Sequence, residues 1–336
     1  LVYIMEGADT GWRVGHQNLH TFHKQLGYEK RPINQWMQEK QWAPQNDLQP
    51  AFLLPPLLNF SNGPSGLTYQ PGTGISNGCE NSFLICDYKG GGAASGIWAF
   101  GIESEGAGMR VIEPRKWNWG AAVTDVEFGY DGKVYVTDFV KGWKSHNDGR
   151  LYTISSEAND KDPLVAEVSK LVSEGFSHRD PAKLLELLDH PDQRVRLRAT
   201  LALSHKPEGL HLFGLAATQR DQRLKRLHGV WGLWMLARRE QSAEATETLL
   251  SLLADNDSEI RSQAAKALGE APLEDAGPLA TSLRDPSARV RAFAAISLGR
   301  QKATAHVNDL IVLLAENSNS DLHLRHAGIM GLVGCA

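Results

Sequence analysis

The sequence predicts a multidomain β + α protein, a partial β-propeller (its terminal blades) followed by an α-solenoid. Three observations carry that expectation. An arginine followed seven residues later by a leucine recurs in the second half, at Arg196/Leu203, Arg226/Leu233, Arg261/Leu268, Arg291/Leu298 and Arg325/Leu332. Its spacing of about 30–35 residues marks a stack of repeats that bury their apolar faces on one another. Residues 1–155 are instead rich in Gly, Trp and short β-type runs with turn signals between them. Finally, the layout of those runs repeats, as it does in successive propeller blades.

Taken in chain order, the opening Leu1-Val-Tyr-Ile reads as the middle of a strand. Trp12 to Asn59 is a long irregular insertion with His16, His20, His23, Trp12, Trp36, Trp42 and the stiff Leu53-Leu-Pro-Pro-Leu-Leu58. Loops of this length tend to be functional or to cap a surface. Ser65–Tyr69, Ser82–Asp87, Gly96–Ile102 and Met109–Ile112 then read as the four strands of one blade. The next is opened by alternation at Asp125–Phe128, a tight turn at Asp131-Gly132, and a second strand at Lys133–Thr137. After a looser loop, Phe139–Asp148, comes a third strand at Arg150–Ile154. An antiparallel sandwich is the alternative for this half.

These runs place the β half at 1–158, with its insertion at about 12–60. A connector helix follows at 159–178, and about five helical repeats at 179–336. In Asp189–Leu203 a turn with Pro191 opens a helix whose Val195, Ala199, Ala202 and Leu203 share one apolar face. Asn256–Arg261 and Asp285–Arg291 repeat the scheme, whereas Gln222–Met235 adds Trp231 and Trp234. Those two read either as extra core or as an exposed partner-binding patch.

Composition bounds the function. A chain of 336 residues that is 42% hydrophobic and 22% charged has the make-up of a soluble globular protein with room for two cores. A formal net charge of −4 argues against a nucleic-acid partner, and no apolar run approaches the ~20 residues of a membrane span. Cys79, Cys86 and Cys335 are too few for a disulfide framework, and pairing of Cys79 with Cys86 stays open. The two chain ends fall inside elements, so a fragment of a longer protein is expected.

Glu6–Gln17, Asn62–Gly74, Cys86–Gly91 and Ser95–Trp98 are distinctive stretches. In them the chain resembles the large membrane-bound dehydrogenase family of planctomycetes and verrucomicrobia. Those proteins join a sorbosone/glucose-dehydrogenase-like propeller to HEAT-like repeats and, commonly, a c-type cytochrome domain. The resemblance implies a fragment of an extracytoplasmic or periplasmic sugar or alcohol dehydrogenase of quinoprotein type. Pyrroloquinoline quinone and Ca²⁺ would belong to the parent, and haem c would lie outside this chain. A sugar or polysaccharide would be the ligand, and a protein or cytochrome domain the partner of the helical repeats. In soluble quinoproteins the blade resembling Ala121–Asp138 carries arginines that grip the quinone carboxylates. Here Ala121-Ala-Val-Thr-Asp125 has none. A non-catalytic scaffold binding carbohydrate or protein is therefore the competing function.

Five residues are candidate ligand contacts. Asp87 and Asp138 end the second strand of successive blades, where they would either bind a cation or sugar hydroxyl or cap the loops that follow. Asp9, Trp12 and Arg13 lie in a Gly-rich turn that suits sugar stacking and carboxylate recognition, or packing and ion pairing. His16, His20 and His23 would share a helical face as metal ligands, or be solvated in a loop. Trp117 and Trp119 would face one side of an outer strand, for packing or ligand stacking. Arg196, Arg226, Arg261, Arg291 and Arg325 are structural repeat positions; in HEAT-like proteins such arginines join adjacent repeats.

Overall fold

The architecture comes from a computed structural model that describes residues 1–8, 24–25, 27, 29, 54–58, 61, 63–144 and 147–336. Among the described residues seven strands form between Pro64 and Ile154, and helices follow from Glu157 onward. The strands are β1 Pro64–Tyr69, β2 Phe83–Asp87, β3 Gly96–Glu105, β4 Gly108–Trp119, β5 Val123–Phe128, β6 Val134–Asp138 and β7 Arg150–Ile154. They make a four-stranded sheet in the order β1-β2-β3-β4 and a three-stranded sheet in the order β5-β6-β7.

The propeller expectation is corrected by this topology. A propeller closes at least four sheets around an axis. The described residues contain two open antiparallel sheets, neither closed nor propeller-like, followed by a helical region. The fold is a small β part plus helices, and the HEAT-like solenoid does not stand as its description. Alternation and turn residues dictated the strands, but not how many sheets form or how they close. Leu84, Cys86, Ile97 and Ala99 of the first sheet share a buried cluster with Val123, Val126, Phe128, Val134 and Val136 of the second. Burial of apolar surface is thereby satisfied without a ring. Gly66 allows the close approach, because a Cβ there would collide with Asp125 and the backbone of Val126.

After one helical turn at Glu157–Asp160 come eleven helices. They are α1 Pro163–Glu174, α2 Pro181–Leu187, α3 Gln193–Leu203, α4 Gly209–Thr218, α5 Arg223–Glu240 and α6 Ala243–Ser251, then α7 Ser258–Leu268, α8 Gly277–Ser282, α9 Ala288–Arg300, α10 Val307–Asn317 and α11 Leu322–Cys335. N-terminal signals are explicit: Asp162, Asp180, Asp192, Asp257 and Asp321 accept from backbone amides of the first turn, and α1 and α2 start on proline.

The chain divides into two compact units. One comprises residues 60–103 and 110–273, the other 1–59, 104–109 and 274–336. Within the first, three helix pairs (α2–α3, α4–α5, α6–α7) stack so that α2, α4 and α6 form one row and α3, α5 and α7 another. Asp192 ties this stack to the sheets. Buried at the start of α3, it accepts from Thr73 Oγ1 at 2.5 Å and pairs with Arg194 Nη2 at 2.7 Å. Arg194 in turn donates to the carbonyls of Phe128 and Gly129. In the second unit α8–α9 and α10–α11 pair, and α9 packs on α11. Residues 1–7 lie on these helices. Tyr3 receives a hydrogen bond from Arg289 at 3.1 Å, Glu6 pairs with Arg300 at 2.5 Å, and the Glu6 carbonyl meets His326 Nε2 at 2.7 Å.

Candidate functional site

The two central strands, β2 and β6, each end on a carboxylate. Asp87 pairs across to Pro64 and Gly96, and Asp138 to Val123 and Arg150. Neither carboxylate is open to a ligand. Asp87 is fully buried; its Oδ1 accepts from Gly63 N at 2.9 Å, and its Oδ2 from Trp98 Nε1 at 3.1 Å and Lys89 Nζ at 2.9 Å. Burial alone would raise its pKa, but the bonds from Lys89, Trp98 and Gly63 outweigh it and hold the carboxyl below its ordinary value. Asp138, also buried, accepts from Val140 N at 2.7 Å and lies 3.7 Å from Arg150.

A cation at Asp87 would have to displace Lys89 from a site closed to water. No cluster of three or more His, Cys, Asp or Glu side chains able to hold a metal comes together among the described residues. Asp9, Trp12, Arg13, His16, His20 and His23 lie outside them. Cys79 and Cys86 are separate buried thiols, as is Cys335.

Asp138 shapes the loop that follows it through the Val140 amide, whereas Asp87 ties Gly63, Trp98 and the Lys89 side chain together. The 88–91 and 139–143 segments join each other through Gly142 N to Gly90 O at 2.8 Å and an isolated bridge between Gly91 and Lys141. Tyr88 reaches across: its hydroxyl donates to the Gly142 carbonyl, and its ring meets Phe139 and Trp143 edge-on, with centroids at 5.7 and 4.9 Å. Val140 has φ +71°, and Lys141 N bonds Phe139 O at 2.9 Å, which makes a γ-turn of the strained, positive-φ kind. For a β-branched residue that conformation costs on the order of 1–3 kcal/mol. Asp138 holds it by binding the Val140 amide.

The product of this bracing is an exposed indole. Trp143 is 73% exposed. Gly90, at φ +81°, supplies the space beside it, since a Cβ there would lie 2.6 Å from the indole nitrogen. Lys89, on the same segment, points the other way to a second aromatic group. Trp98 and Trp119 meet at 5.3 Å edge to face, with Lys116 Nζ 4.3 Å and Lys89 Nζ 5.9 Å from the centre of the Trp119 ring. Trp117, one alternation earlier, packs instead on the shared core and donates to Asn77 O at 2.9 Å.

Sequence reasoning singled out the two aspartates and Trp119 but missed Lys89, Trp98, Lys116, Val140 and Trp143. A signal for Trp143 was present: a lone indole in the polar run Lys141-Gly-Trp-Lys-Ser145 has no apolar neighbour to bury it.

The repeat arginines serve the helices. Arg196 donates to the carbonyls of His190 and Pro191, Arg261 to those of Asp255 and Asn256, and Arg291 to those of Asp285 and Pro286. Each thus clamps the turn six and five residues before itself. Arg226 reaches the following helix pair through Asp255, and Arg325 is buried in α11. A cleft of about 640 Å³ lies near Arg226. Its central charges are spent on each other, Arg223 with Asp257 at 2.6 Å and Arg226 with Asp255. Trp231 donates to Gln263 at 3.1 Å, and Trp234 lies under Arg238.

No family model matches the chain, and no curated protein matches it either. A crystal structure described as an engineered protein is similar over 52% of this chain and 82% of its own, with 18% identity and a TM-score of 0.34. A likeness that slight assigns neither fold nor function.

Proposed function

We propose that the protein is a non-catalytic carbohydrate-binding module whose Trp143 stacks on a sugar ring. The observation that carries this reading is an indole held largely in water by strained and glycine-dependent backbone. Exposing so much apolar surface is unfavourable, and a γ-turn at valine adds to that cost. Such features persist where a site must be preorganised. A flat, rigid indole suits the apolar face of a pyranose. The saturated state of Asp87 and Asp138 supports binding rather than turnover, because neither is free to act as general base.

The test is titration with soluble polysaccharides, followed by tryptophan fluorescence and calorimetry. Binding that Trp143→Ala weakens at least tenfold, with an unchanged melting temperature, is the expected result. Unchanged affinity in that variant overturns the reading. So does dye-linked oxidation of sugars in the presence of pyrroloquinoline quinone and Ca²⁺, which would show a dehydrogenase.

A further inference from the structure

We propose that Asn77 is a site of spontaneous covalent modification, its side chain closing on the Gly78 nitrogen, while the fold protects the chain's other Asn–Gly pair, Asn62–Gly63, at its glycine. Asn–Gly is the dipeptide in which this chemistry meets least hindrance, because glycine has no side chain to shield its nitrogen. The Gly78 nitrogen gives up its proton and attacks Asn77 Cγ, closing a five-membered succinimide. The bond from Cγ to the amide nitrogen breaks, and that nitrogen leaves as ammonia. Water then opens the ring at either carbonyl. One opening gives aspartate, the other isoaspartate, with the main chain rerouted through Cβ and Cγ. The exchange is one water for one ammonia, and no oxidant or second substrate enters.

The local geometry leaves this pair open to the reaction. Ser76 to Cys79 is a β-turn closed by Cys79 N to Ser76 O at 2.7 Å, and Gly78 at φ +71° makes it type II. Its central peptide, Asn77–Gly78, takes no part in the closing bond. Both residues are exposed, and among the described residues neither the Asn77 amide nor the Gly78 nitrogen has a hydrogen-bond partner. The Asn77 carbonyl accepts from Trp117 Nε1 at 2.9 Å, which draws charge out of the same peptide and favours loss of its proton. Gly63 is the opposite case. Its nitrogen donates to Asp87 Oδ1 at 2.9 Å, and Asp87 is fully buried. Attack by that nitrogen would break the bond and leave a buried carboxylate short of a donor. The dipeptide is the same at both places, so the fold separates them.

The experiment holds the full chain at pH 8 and 37 °C, native and in urea, and follows the peptides spanning both pairs by mass spectrometry. Conversion shows as a mass gain of about 1 Da, and isoaspartate as methyl uptake with an isoaspartyl methyltransferase. In the native protein Asn77 is expected to convert at least tenfold faster than Asn62, with isoaspartate among its products. In urea the two rates should come together, because the bond from Gly63 to Asp87 is gone. Asn77→Gln should remove most of the methyl uptake of native protein while keeping the melting temperature. Equal native rates overturn the proposal, as does an Asn77 that stays intact in the folded chain and converts only in urea. Methyl uptake undiminished in Asn77→Gln places the chemistry elsewhere and also overturns it.

Discussion

At the scale of single residues, the polar interior is set by which proton sits where. His228 is buried in α5, its pKa pushed down to about 4 by burial and then by Arg196. Its Nε2 faces Arg196 Nε at 3.3 Å and must accept, so Nδ1 carries the proton and donates to Thr200 Oγ1 at 2.8 Å. Thr200 passes its own hydrogen to the Arg196 carbonyl. Because the unfolded chain protonates this imidazole near pH 6.5, its stabilising contribution is complete above that value and is lost as pH falls towards 4. The shift corresponds to roughly 3 kcal/mol. Urea titrations at pH 7 and pH 4.5 should show wild type losing markedly more stability than His228→Asn, and parallel losses would refute the assignment. Val140→Gly should raise stability by about 1 kcal/mol, since release of the γ-turn strain exceeds the entropy glycine adds. The same substitution should weaken glycan binding by loosening Trp143. A destabilised Val140→Gly protein would mean the turn is not strained.

At the scale of elements, three of the five repeat arginines, Arg196, Arg261 and Arg291, prove to be turn clamps. Arg261 satisfies the carbonyls of Asp255 and Asn256 ahead of α7. Arg261→Met should cost about 2 kcal/mol in a denaturant titration, the usual penalty for orphaned carbonyls in part-buried places. A cost below ~0.5 kcal/mol would show that water replaces the guanidinium. Asp192 belongs to this scale too, because it both caps α3 and binds Thr73 beside β1. Asp192→Ala should cost on the order of 3–5 kcal/mol, as loss of one member of a buried ion pair does. The strands were legible from alternation, Val134-Tyr-Val-Thr-Asp138 above all, and the helices from apolar periodicity. The four-residue reading of β4 was too short: it runs from Gly108 to Trp119, because pairing with β3 carries the strand past Pro114, where propensity alone would stop it.

At the scale of the whole molecule, all three thiols are buried, and burial raises the pKa of Cys79 and of Cys86 to about 12. Native protein should give almost no reaction with a thiol reagent at pH 8, and denatured protein three equivalents. Rapid native reaction would contradict the packing of the shared core that contains Cys79 and Cys86.

The sequence by itself determined the local order: where strands give way to helices, which faces are apolar and which arginines recur. Those features depend on neighbours a few residues apart, so they are written in spacing. The tertiary structure decided that two open sheets share one core instead of joining a ring. It also buried Asp87 under Gly63, Trp98 and Lys89, made Asp138 a brace for the Val140 turn, and left Trp143 in water. Each of these outcomes depends on residues tens of positions apart meeting in space, as Tyr88 meets Gly142 and Trp98 meets Trp119. Periodicity records the face a side chain occupies, but not the partner that comes to cover it.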